Sequence, residues 1–80
     1  MRGEFGRVLR RERFQAGREM PEVAEAAMCS ARMLYAVEDA HASPPDPETV
    51  RRIAEFLGVP VHVLEEPARL SREAWSKGEK

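Results

Sequence analysis

Eighty residues suffice for one domain with a thin core, because a chain of this size buries only about 60% of its unfolded surface. A hydrophobic share of 42% beside 34% charged residues is that of a small helical globule and excludes a disordered chain. The net charge of −1 selects no partner by itself, and no apolar run approaches membrane-spanning length.

The apolar spacing predicts an all-α chain of about five short helices with no strand. The first helix is expected over Glu4 to Ala16, with Phe5, Val8, Leu9 and Ala16 on its apolar side and arginines on the other. Gly17 suits the left-handed residue that ends it. A second helix starts near Glu19 to Pro21, where a proline in the first turn loses nothing, and ends near Ala27. Ser30 is placed to cap a third helix running to about Asp39. The segment from His41 to Pro47 holds three prolines and reads as a stiff loop. Asp46-Pro47-Glu48-Thr49 is a helix start, and Val50, Ile53, Ala54 and Leu57 then share one face up to Gly58. A short turn over Val61 to Leu64 follows Pro60, and Pro67 opens a last helix carrying Leu70, Ala74 and Trp75. Residues 1–66 are thus expected to form the main domain. Residues 67–80 form a C-terminal helical extension, frayed from Lys77 to Lys80.

The start of the chain shows no signal-peptide apolar core, and the single cysteine, Cys29, suits a reducing compartment, so a cytoplasmic protein is expected. Cys29 reads as a small core side chain. His41 and His62 stand apart, and no grouping has metal-ligand spacing, so no metal or cofactor is expected. No glycine-rich phosphate loop and no nucleophile with a neighbouring base is present, which argues against an enzyme.

Several residues fall in one order and spacing. They are Phe5, Leu9, Arg13 and Ala16-Gly17; then Val23-Ala24, Ala27, Ser30, Leu34 and Val37-Glu38; then Pro45, Glu48-Thr49, Ile53-Ala54, Leu57-Gly58-Val59 and Leu64. In these the chain resembles the lambda-repressor-like helix-turn-helix family over Phe5 to Leu64. The resemblance implies that the third helix enters a DNA major groove. It also implies a structural ion pair between Arg13 and Glu38. The departures concern the exterior. Glu19 and Met20 stand where the family has a hydroxyl cap and a glutamine. Met28 replaces the turn glycine, and Ala31 and Ala36 replace polar readers.

What the resemblance leaves for double-stranded DNA is Arg18, Ser30, Ala31, Arg32, Tyr35 and Ser43. Arg32 could bond guanine bidentately, or be a solvated arginine paired with Glu25 or Glu38. Tyr35 could reach phosphate or base, or pack at a protein interface with Met33 and Met20. The charge distribution keeps both readings open: residues 1–20 carry six arginines against three glutamates, whereas residues 21–46 carry Arg32 against five acids. The first reading is a small DNA-binding transcriptional regulator. The alternative is a protein-docking module whose acidic, methionine- and tyrosine-bearing face takes a toxin, polymerase subunit or regulator. Leu64, Leu70 and Trp75 are candidate contacts of a homodimer, because Trp75 has little core to enter.

Overall fold

A computed structural model describes residues 2–78. Five α-helices and, among the described residues, no strand make up the chain: α1 (Glu4–Ala16), α2 (Met20–Ala27), α3 (Ala31–Glu38), α4 (Pro47–Leu57) and α5 (Val61–Ser76). No helix of the described residues is long and apolar enough to cross a membrane. The expected all-α fold is borne out. The chain folds back so that α5 lies against both α1 and α4, while α2 packs between α3 and α4.

A single core joins all five helices. Phe5 and Leu9 of α1 meet Val23 and Ala27 of α2, Leu34 and Val37 of α3, Val50, Ile53 and Leu57 of α4, and Leu64 and Ala68 of α5. Ala24 and Ala54 are buried where helices run close, and a longer side chain there would force them apart. Gly6 serves the same end more strictly. A Cβ on it would overlap the Val37 carbonyl oxygen and stand 2.9 Å from Glu38 Cα. Its missing side chain therefore lets α1 touch the backbone of α3 directly.

Three details differ from expectation. Ala16 is exposed, and the inward stripe of α1 runs Phe5, Leu9, Arg13 instead, which are the positions one helical turn apart. Met20 is fully buried, so the first residue of α2 turns into the core. The largest correction concerns the end of the chain. The turn over Val61 to Leu64 and the separate helix opened by Pro67 are one continuous helix, α5. A proline inside a helix removes one hydrogen bond and costs about 3 kcal/mol. Here Leu64, Pro67, Ala68, Ser71 and Ala74 form one buried stripe, and that apolar contact carries the helix through the proline. The 66/67 boundary falls inside this helix. Glu79 and Lys80 of the expected frayed end lie outside the described residues.

The ends of the chain are joined across the fold. The Phe5 N–H, one of the unpaired donors in the first turn of α1, donates to Ser71 Oγ on α5 at 3.0 Å. The Arg2 guanidinium lies over the Trp75 ring at 3.5 Å from its centroid.

Candidate nucleic-acid interface

The first four helices end alike. At each C-terminus one residue takes the left-handed conformation, and its own N–H and that of the residue after it reach back to carbonyls of the last turn. Glycine fills this place after α1 and α4, as Gly17 (φ 68°) and Gly58 (φ 75°). After α2 and α3 it is filled by Met28 (φ 60°) and Ala40 (φ 61°). The two strained non-glycine turns therefore bracket α3 on both sides. Met28, as expected, stands in the turn at positive φ, and 78% of it is exposed. Ala40 falls between the expected end of the third helix and the proline-rich loop, and no local signal in the sequence marks it.

Between these turns, Ser30 Oγ accepts the Met33 N–H at 3.2 Å and fixes the start of α3. Leu34 and Val37 point inward. Arg32 and Tyr35, one turn apart, point outward, and Tyr35 is 49% exposed. Ala31 and Ala36 are half-buried, and Ala31 and Met33 pack partly against the core. Ser43 is exposed on the loop that follows α3. Arg18 is exposed just before α2, with Glu22 at 3.7 Å and the Phe56 ring centroid at 4.9 Å. α2 is capped without a hydroxyl: the Glu19 N–H donates to Glu22 Oε1 at 2.9 Å.

Arg13 is the joint between α1 and α3. Its Nε and Nη2 donate to the two carboxylate oxygens of Glu38 at 3.0 and 3.2 Å, and its Nη1 donates to the Arg18 carbonyl at 3.2 Å. The Glu38 bond is the first cause that raises the Arg13 pKa above its ordinary value, partly offset by burial. One side chain thus ties the end of α1, the approach to α2 and the end of α3.

The fold also redistributes charge. Of the acids in residues 21–46, Glu38 is held by Arg13 and stands 3.5 Å from Arg10. Asp39 lies 3.5 Å from Arg10, and Glu22 pairs with Arg18. Three of the six arginines in the first twenty residues, Arg10, Arg13 and Arg18, therefore pair with acids of α2 and of the end of α3. Arg32 makes no ion pair among the described residues, with Glu25, Glu38 or any other acid.

The remaining candidate residues are placed as follows. Leu64, expected at a dimer contact, is fully buried in the core and offers no surface. Trp75 is half-buried and covered by Arg2, so it does find a partner within its own fold. Leu70 is the one of the three that stands out, 40% exposed. Of the methionines expected on a docking face, Met20 is inside and Met33 leans on the core, which leaves Met28. Cys29 packs against the core, and burial pushes its thiol pKa up.

A family model described as a helix-turn-helix domain matches residues 4–66, most of the chain. No curated protein matches the chain, and no solved structure does.

Proposed function

The chain belongs to the helix-turn-helix domain family, and on that premise we propose that it is a small DNA-binding transcriptional regulator of the cytoplasm. The observation that carries this is Arg32: an exposed guanidinium on the outer face of α3 with no acidic partner among the described residues. An arginine so placed can bond O6 and N7 of guanine from the major groove. Tyr35, one turn further, reaches a base edge or phosphate. Ala31 can offer only a methyl contact to thymine. The Ser30 hydroxyl keeps its proton free while its oxygen holds Met33, so it can donate to phosphate. Arg18 and Ser43 would touch the backbone. Giving up the exposed Arg18–Glu22 pair for a phosphate costs little, since such pairs contribute about 0.2–1 kcal/mol.

Most of the remaining arginines are already engaged by acids, so few phosphates are neutralised, and the dependence of affinity on salt is shallow. Fluorescence anisotropy against labelled genomic fragments tests the reading. Arg32→Ala should cost about 1–3 kcal/mol on the preferred fragment and relax preference at one base position. Absence of binding by the wild-type protein even at low salt sinks it. The protein-docking alternative loses ground on two points. Its methionine face shrinks to Met28, and three of its acids are already paired with arginines of the same chain.

A further inference from the structure

The loop of residues 39–46 joins α3 to α4 and carries Ser43. At its first end, the N–H groups of Ala40 and His41 donate to the Val37 and Ala36 carbonyls at 3.1 and 2.8 Å. At its other end Pro44 and Pro45 are buried. Proline has no N–H to offer, so the Pro45 carbonyl is the group through which that end can be held. It is held from α5: Arg72 donates to it through Nη2 at 2.8 Å and through Nε at 3.2 Å. The other edge of the same guanidinium meets Glu65, two turns back along α5, at 2.9 Å. Glu65 thus orients the fork and Arg72 spends it on the loop. Between the anchored residues His41 and Pro45 lie Ala42, which packs partly on the core, exposed Ser43 and buried Pro44.

We propose that Arg72 is a positioning residue for the phosphate-contacting loop, so that the second half of α5 is a working part of the DNA interface although the helix-turn-helix match ends at residue 66. The proposal rests on the DNA reading above. Ser71 and Arg72 are neighbours in sequence and hold different neighbours in space. Ser71 takes the Phe5 N–H of α1, and Arg72 takes the Pro45 carbonyl. α5 therefore sets the loop against the body that carries α3. A hydrogen bond to phosphate depends on that setting, because an interaction with a displaced loop must first restrain it.

The test uses the full chain. Arg72→Ala should lower the backbone NMR order parameters of Ala42 and Ser43, weaken binding to the preferred fragment about tenfold, and leave the salt slope unchanged, because residues 39–46 carry no arginine or lysine. Arg72→Lys keeps one donor for the Pro45 carbonyl and should recover part of both. Ser43→Ala should weaken binding in the wild-type background and change nothing further beside Arg72→Ala. Arg69→Ala, whose partners Glu66 and Glu73 lie within α5, should leave binding unchanged. If Arg72→Ala does not fold, Glu65→Gln loosens the same fork more gently and should move the same readouts. Unchanged order parameters at Ala42 and Ser43 overturn the proposal, and so do effects of Arg72→Ala and Ser43→Ala that simply multiply. A wild-type protein that binds no DNA fails the DNA reading and the phosphate role with it; the order parameters then decide separately whether Arg72 holds the loop.

Discussion

Replacing Arg13 by methionine should destabilise this domain far more than replacing Arg13 and Glu38 together. The side chain of Glu38 is 1% exposed and receives two of the three hydrogen bonds that Arg13 makes. Arg13→Met leaves that carboxylate in place, with Arg10 at 3.5 Å as its remaining cation, and strips the Arg18 carbonyl of a donor. Breaking a buried pair from one side costs about 3–5 kcal/mol, and Arg10 brings the expectation to about 3. A domain of this length has about 4–12 kcal/mol in total. With a urea slope of about 1 kcal/mol per molar, the unfolding midpoint should fall by about 2–3 M. In Arg13→Met/Glu38→Leu no charge is left stranded, so the double variant should recover most of that loss. Urea titrations followed by circular dichroism on both single variants and the double variant close the cycle. Additive single effects would refute the reasoning, since they would mean that the two groups contribute independently and that no stranded charge was created.

Three further outcomes are expected. Met28→Gly relieves a left-handed methionine that is mostly solvated, and should stabilise by about 1 kcal/mol, raising Tm by about 4–8 °C; a fall in Tm on a thermal melt counts against the strain assigned to that turn. Gly6→Ala drives a methyl into the backbone of α3 and should cost about 1–3 kcal/mol by the same melt, with unchanged stability showing that α1 can draw away freely. The Thr49 hydroxyl, 2.6 Å away, holds the Asp46 carboxyl below the usual aspartate range. A depressed folded pKa contributes stability above the unfolded value that is lost as pH falls through the folded one, so Asp46→Asn should flatten the acid limb of a stability–pH profile and leave the neutral region level.

Much of the fold was legible because its signals are local. Gly17 and Gly58 stop helices, Ser30 starts one, and Asp46-Pro47 starts another; the bounds of α1, α2 and α4 follow from such residues. Pro67 misled for the same reason. It is a local breaker, and what overrules it is a buried stripe that exists only once α1 and α4 are in place. The candidate site was legible at its joint and at Arg32, less so in its charge. Counting acids and bases by stretch of sequence set an acidic excess around α3, but Arg13 reaches Glu38 across 25 residues and Arg10 reaches Asp39 across 29. Pairing over such separations leaves no mark on a local count. Gly6 and Arg72 went unremarked because nothing in their own neighbourhood distinguishes a glycine that admits a backbone, or an arginine that holds a carbonyl, from any other on a helix.

The bond between Phe5 and Ser71 spans 66 residues, and it orders events on the ribosome. At synthesis rates of about 5–20 residues per second, α1 waits about 3–13 s for the helix that caps it. During that interval Phe5 and Leu9 have no α5 to cover them. α1 is thus completed only after α5 has emerged, and until then its apolar side stands open to any chaperone that binds greasy helices.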